Sequence, residues 1–413
     1  MSNLMVQPDS RKPILTISYL FPSDAVPIAG VFIRERIAHV AKYWPVIVIS
    51  PQPWSPFDGL IRTLKNPKYR LQPTQSISKY EGYEVHRPRF FSLPGIGRGM
   101  AAKSMGSAVI RYIRKNIPLE FALIDSHFVY PEGVAARNIS KALCLPYYIT
   151  LRGERDTKCE GAPEESEVRD ALQNAEKVIS VSDDLGNFAK RLGTAPQQVL
   201  TIPNGVNLDA FYPVDTIQAR RELGIDLSRP VLIAVGMYNL RKGHHRIVKA
   251  MPTILKQFPN ALLLLVGGPG TSEDSTAEIR KAVKVNNLED HVLECGQRTP
   301  DEIRNYFGAA DVFVLATEHE GRANVMNEAA ACGLPIVTTD VGGNREIVSN
   351  TDFGATVPFW DEALFCAKVC EFLENPGNTD ARLSYAKNLT WTKTAQRVLE
   401  TFEPSLDSTS TRN

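Results

Sequence analysis

The chain has 413 residues, a net charge of +1, and a content of 43% hydrophobic and 23% charged residues. That length exceeds an ordinary single core and predicts two domains, and the balanced composition predicts a soluble globular protein. No apolar run reaches membrane-spanning length, the polar start at residues 1–12 carries no secretory pattern, and the six cysteines (Cys144, Cys159, Cys295, Cys332, Cys366, Cys370) lack a metal-ligand spacing. The expected compartment is the cytoplasm. Cys366 and Cys370, one helical turn apart, read as small core residues.

Residues 14–20 (ILTISYL) form a first predicted strand, followed by a proline-rich loop to Gly30, an amphipathic segment at 31–44 and a second strand at 46–50. The chain therefore opens with a β-α-β unit. Gly30, where loop meets helix, lets backbone approach a ligand or simply serves a turn. Residues 60–115 are basic: twelve cations are opposed by Glu81 and Glu84 and interleaved with Phe90, Phe91, Leu93 and Ile96. Such a stretch suits an anionic membrane surface, at the inner face of the membrane for a cytoplasmic protein, or is a solvated basic face. Nucleic acid is not the expected partner, because no nucleic-acid-binding motif accompanies the charge. Residues 122–127 (ALIDSH) form a buried strand ending in His127, and 147–151 lead to the polar turn Arg152-Gly-Glu-Arg-Asp156. A histidine at a strand end is either structural or placed at the ligand crevice of a parallel sheet. Segments at 178–182 and 199–205 complete the first half.

The second half restarts with a strand at 231–236, a loop at 237–243 and a helix at 244–256. Arg241 and Lys242 place two cations on that loop, which is either a basic surface turn or a device to neutralise a departing diphosphate. Strands at 261–266 and 292–296 follow, the latter running into Gly296-Gln297-Arg298, and then a helix at 301–309. Residues 311–317 (DVFVLAT) read as a buried strand, 318–322 (EHEGR) as an acidic loop, 324–332 as a helix with Asn324 as its cap, and 335–339 (PIVTT) as the next buried strand. A helix beginning at the carboxyl end of a parallel strand presents free N–H groups and its positive dipole end to the crevice, which suits a phosphate. Glu320 and Glu328 there can accept hydrogen bonds from hydroxyl pairs of a ribose or hexose; otherwise they are a solvated loop residue and a surface glutamate. Helices are predicted at 361–372, 379–387 and 391–402, and residues 404–413 read as a disordered tail. Alternation of strands and helices argues for the α/β class with parallel sheets.

The run from Glu320 through Gly-Arg-Ala-Asn-Val-Met-Asn-Glu328 to Pro335 and Gly342-Gly343 closely resembles the signature of the family 4 glycosyltransferases, which have the GT-B fold. The resemblance implies two Rossmann-like β/α/β domains facing a cleft. Their expected bounds are an acceptor-side domain at 1–207, with the helix at 391–403 packing back on it, and a donor-binding domain at 208–390. It implies transfer of a hexosyl unit from a nucleoside-diphosphate sugar, UDP- or GDP-linked, to an alcohol acceptor with retention, without cofactor or metal. In these terms His127, Glu320 and Lys242 are the catalytic candidates. Gly30, Arg241, Gly296, Gln297, Arg298, Gly321, Arg322, Asn324, Val325 and Glu328 are donor-binding candidates, and Arg152 and Asp156 fall at the acceptor side. One departure stands out: Met237 occupies the place where the family usually has arginine, and Arg241 is the candidate to supply that charge. Taken with the basic stretch, the expected acceptor is a lipid-linked or surface glycan. A sugar phosphorylase or sugar-nucleotide epimerase on the same fold, or a non-catalytic sugar-nucleotide-binding protein, remains open as an alternative.

Overall fold

A computed structural model describes residues 11–64, 69–93, 98–270 and 273–410. The chain divides into two compact units, one of residues 1–203 with 391–413 and one of residues 204–390.

The first unit is built on an eight-stranded sheet. Its strands are β1 (Ile14–Ile17), β2 (Val46–Ile49), β4 (Ile77–Tyr80), β5 (Tyr83–His86), β7 (Leu123–His127), β8 (Tyr147–Leu151), β9 (Lys177–Ser180) and β10 (Val199–Thr201), in the order β10-β9-β8-β7-β1-β2-β5-β4. All neighbours are parallel except β4 against β5. Two short strands, β3 (Gln52–Trp54) and β6 (Arg89–Phe91), pair separately and in parallel. Every residue of β1, β7 and β8 is buried, as expected of parallel strands covered by helices on both faces. The chain leaves β1 toward β2 on one side and returns to β7 on the other. The carboxyl ends of β1 and β7 therefore flank a topological switch point, the place where open α/β sheets bind ligands.

In the second unit all six strands are parallel: β11 (Val231–Val235), β12 (Leu262–Val266), β13 (Val292–Gly296), β14 (Val312–Leu315), β15 (Ile336–Thr339) and β16 (Gly354–Val357), in the order β13-β12-β11-β14-β15-β16. Here the switch point lies between β11 and β14. Apolar runs such as VLIAV and LLLLV are buried at every position. Cys366 and Cys370 are buried in the core on the helix Glu362–Glu374.

Two expectations are corrected. The last helix does not stop near residue 403 but runs from Trp391 to Ser410, through Pro404. Proline removes one backbone donor, yet the buried stripe of Ala395, Val398, Phe402 and Leu406 continues past it, and the Tyr148 hydroxyl lies 2.7 Å from Ser405 Oγ. That packing holds the segment helical where composition alone suggested a tail. The basic stretch 60–115 is likewise no uniform face. Arg87 is buried and donates to Ser78 Oγ and the Pro22 carbonyl, Arg70 donates to Ser92, and Arg62 to the carbonyls of Tyr69 and Arg70. Lys65, Lys68, Ile96 and the Arg98 side chain lie outside the described residues. Lys79, Arg89, Lys103, Arg111, Arg114 and Lys115 do face outward, and apolar side chains are exposed as well: Trp54 and Phe91, in edge contact, Phe57 just before the helix Asp58–Leu64, and Leu60 and Leu64 on it.

Candidate active site

In the second unit the loops after β11 and β14 meet at the switch point. Gly243 makes this approach feasible: its φ is 76°, and a Cβ there would sit 2.0 Å from the Ala316 carbonyl oxygen. The contact sets Lys242 against Glu320. Lys242 Nζ lies 2.5 Å from Glu320 Oε1, Arg241 Nη1 3.0 Å from the same oxygen, and Thr317 Oγ1 3.4 Å from it. Burial pushes the Glu320 carboxyl up, but the Lys242 and Arg241 cations outweigh it and hold its pKa below the ordinary value. Glu320 therefore stays ionised. Its side chain retains 10% exposure.

Glu328 sits within the helix Asn324–Ala331 and is half-buried. Burial, opposed only in part by Lys242, pushes its pKa up to about 7. Asn324 is not the cap of this helix. Ala323 holds that position without a side-chain bond, and Asn324, the first helical residue, accepts a 3.0 Å bond from Asn204 Nδ2. The cap expectation failed because asparagine was matched to a cap by type, while the turn ends one residue earlier. The first-turn N–H groups consequently have no side-chain cap. Val325 is half-buried beside them.

Several other candidates are tied inward. Arg322 gives Nη1 to Glu346 (2.7 Å) and Nη2 to the Tyr385 hydroxyl (2.9 Å), making a strut under the loop. Gly321 accepts from the Gly343 amide at 3.0 Å, which locks the loop to the Gly-Gly turn. Arg298 folds back onto the Cys295 carbonyl (2.9 Å) and Glu302. Gly296, with φ 73°, is exposed with open space around it, and Gln297 Nε2 reaches 3.7 Å from Met237 Sδ. His244, which the sequence reading passed over, is buried with both ring nitrogens lacking hydrogen-bond partners, 5.2 Å from the Tyr238 ring. Burial and Lys242 lower its pKa to about 3.

The first unit gathers a buried polar chain at the ends of β7 and β8. Asp125 and His127 project from the same face of β7. Arg36, from the helix Val31–Val40, donates Nη2 to both Asp125 oxygens (2.9 and 3.0 Å) and Nη1 to Thr150 Oγ1 (2.7 Å). His127 Nε2 lies 3.3 Å from Asp125 Oδ2, and Arg152 Nη2 lies 2.8 Å from Nδ1. Arginine can only donate, so Nδ1 accepts and Nε2 carries the proton. Burial lowers the His127 pKa to about 3, with Arg152 and Arg36 adding to the effect against Asp125. His127 is thus a neutral, enclosed ring whose two nitrogens are both used internally. Asp156 is likewise spent, accepting from the amides of Val129 (2.7 Å), Arg152 (2.6 Å) and Gly153 (3.0 Å), so it shapes the turn. Gly30 caps the first helix at φ 68°, where a Cβ would come 2.4 Å from the Leu20 carbonyl oxygen. Arg36 and Asp125 were missed because nothing in sequence links a helix arginine to a strand aspartate 89 residues away.

The described residues contain no group of three or more His, Cys, Asp or Glu side chains that could hold a metal ion, and no helix among them is long and apolar enough to cross a membrane.

Comparison with known proteins accords with this geometry. Residues 29–210 match the family model described as Glycosyltransferase Family 4, and residues 215–390 match that of Glycosyl transferases group 1. The chain is 29% identical over 341 residues, 80% of its length and 81% of the relative's, to TuaC of Bacillus subtilis strain 168, provisionally named a teichuronic acid biosynthesis glycosyltransferase. Among solved structures it superposes on a sucrose-phosphate synthase from Thermosynechococcus elongatus with a TM-score of 0.76 at 23% identity, covering 96% of this chain and 100% of that one. It also superposes on Anabaena HepE, solved in complex with UDP-glucose, with a TM-score of 0.70 at 19% identity over 95% of this chain and 100% of that one.

Proposed function

The chain belongs to the family 4 glycosyltransferases and has their GT-B fold of two Rossmann-like domains, and from that premise we propose that it transfers a hexosyl unit from a UDP- or GDP-linked sugar to an alcohol acceptor with retention at the anomeric carbon. The observation that carries this reading is the convergence of Lys242 and Arg241 on Glu320, with Glu328 on the adjoining helix, at the switch point of the second unit.

An arriving diphosphate would take over the donors that Lys242 and Arg241 now give to Glu320. Those cations and the uncapped helix start at Asn324 would stabilise charge as the diphosphate departs. Glu320, ionised, would accept hydrogen bonds from sugar hydroxyls near the reacting carbon, and Glu328 from the ribose hydroxyls. Ionisation suits Glu320 to accepting hydrogen bonds rather than to acting as a general acid. Arg241 reaches Glu320 from beyond the Met237 position, so a cation is supplied there despite the methionine. Gly296 and Gln297 are assigned to the nucleobase edge. In the first unit the enclosed His127 acts by holding Arg152, which belongs to the acceptor side. The reaction draws on side-chain and backbone electrostatics alone, without a metal.

The apolar outer face around Trp54, Phe57, Leu60 and Leu64, beside Arg89, suits peripheral attachment to an anionic membrane. A lipid-linked or surface glycan acceptor follows from that attachment.

Calorimetric titration of UDP, GDP and ADP into wild type and Glu328→Ala, without metal, tests the donor site. One nucleotide should bind, and its affinity should fall at least tenfold in the variant. Absence of binding to all three would remove the assignment.

A further inference from the structure

The donor reading leaves unused a group of residues at the other switch point, between the ends of β1 and β7 in the first unit. Tyr19 follows β1, Phe128 follows β7, and Arg155 lies in the short helix Glu154–Thr157 after β8. The Arg155 guanidinium carbon is 4.3 Å from the Phe128 ring centroid and 5.5 Å from that of Tyr19. Beneath it, Glu132 is 0% exposed. Its Oε1 accepts from the Tyr19 amide at 3.2 Å, while Oε2 has no hydrogen-bond partner and lies 3.5 Å from Arg155 Nη2. The Arg155 side chain is 37% exposed, and Glu132 is its ion-pair partner among the described residues.

Phe128 adds an independent sign. It holds φ at 70°, a conformation costly for a bulky residue. Bonds from its amide to Thr150 O (2.8 Å) and from the Gly133 amide to its own carbonyl (3.1 Å) keep it there. Strained backbone that the surroundings maintain is characteristic of ligand sites. Here it turns the phenyl ring under the guanidinium.

We infer that Arg155 is an anion-reading residue of the acceptor site, and that the acceptor carries a phosphate or carboxylate group near the hydroxyl to be glycosylated. A guanidinium flanked by rings loses little freedom on binding, and its planar fork matches both anions in two-point contact. Arg36 and Arg152 are cations of the same crevice but are buried and committed to Asp125 and His127, whereas Arg155 stays 37% exposed and is held only by the longer 3.5 Å pairing with Glu132. Burial pushes the Glu132 carboxyl above its ordinary pKa, so the counter-charge beneath Arg155 is readily neutralised. This inference rests on the glycosyltransferase reading for the word acceptor, but the anion site can be tested apart from it.

The test titrates inorganic phosphate, phenyl phosphate, glucuronate and methyl glucoside into full-length protein saturated with UDP, so that the diphosphate site of the second unit is already filled. Binding is read by NMR chemical shifts, with Arg155→Gln and Arg155→Lys beside wild type. We expect a phosphate or glucuronate to bind and the neutral glucoside not to. The difference between phosphates and glucuronate tells a phospholipid-like headgroup from an acidic sugar. Affinity should fall at least tenfold in Arg155→Gln and only partly in Arg155→Lys, with UDP affinity equal in all three proteins. Failure of wild type to bind any anion, or equal binding by Arg155→Gln, would overturn the inference. Loss of UDP binding in wild type would instead count against the donor reading, and the anion titration would then be run without UDP.

Discussion

Replacing Glu328 by glutamine should make the second unit more stable at alkaline pH, and the size of the gain follows from its surroundings. The wild-type carboxyl titrates near 7 in the folded chain against an ordinary 4.5. Its folded-state pKa is raised, so the protonated form is favoured by folding. That contribution is complete below about pH 4.5 and is lost as pH rises through 7. At ~1.36 kcal/mol per pH unit the ceiling is about 3 kcal/mol, and water reaching a half-buried group reduces the expected difference to about 1–2 kcal/mol. Glutamine keeps the shape and removes the titration. Urea unfolding of both proteins between pH 4.5 and 8.5 measures it, followed by hydrogen exchange in peptides spanning residues 324–331 so that the readout stays on the second unit. The two proteins should coincide at pH 4.5 and separate by pH 8.5, with the variant ahead. Lys242→Ala should move the midpoint of the wild-type dependence upward, since Lys242 is the cation that opposes the shift. A pH-independent difference across that range would refute the argument.

Asp125→Asn should cost the first unit about 3–5 kcal/mol, because it leaves Arg36 buried without its counter-charge. Unfolding of Asp125→Asn beside the double variant with Arg36→Met checks this, the double variant recovering most of the loss; a single-variant cost below about 1 kcal/mol would show the pair to be dispensable. Membrane attachment should fall at least tenfold when Phe57, Leu60 and Leu64 are changed together to serine, measured by co-flotation with vesicles containing anionic phospholipid. Changing Arg89 and Arg98 to glutamate should weaken it at low salt. Unchanged partitioning in both variants would remove the membrane argument.

The parallel strands were legible because their burial on both faces leaves continuous apolar runs: VLIAV, LLLLV and VFVL each became a core strand. Strands β4 and β6 were not, since short edge and excursion strands such as ISKY and RFF bury little and read only as charged, mixed sequence. Side chains tell a similar story. Glu320 and Lys242 could be nominated because a strand-loop-helix pattern puts their loops at carboxyl ends, and the structure brings them into contact. What sequence order cannot show is which charges are already spent. Arg322 looks available in the sequence, yet Glu346 and Tyr385 from distant positions hold it, and one of the amides that occupy Asp156 is that of Val129 on another segment.

The methionine at position 237 illustrates how far that matters for function. Taken along the chain, it removes a cation and favours a protein that binds without catalysis. Taken in space, the Arg241 guanidinium lies 3.0 Å from Glu320 Oε1 beside Lys242, so the site keeps two positive charges around one carboxylate. Electrostatic stabilisation depends on where charge sits relative to the departing group, not on which chain position supplies it. The substitution therefore gives no physical ground for a silent site.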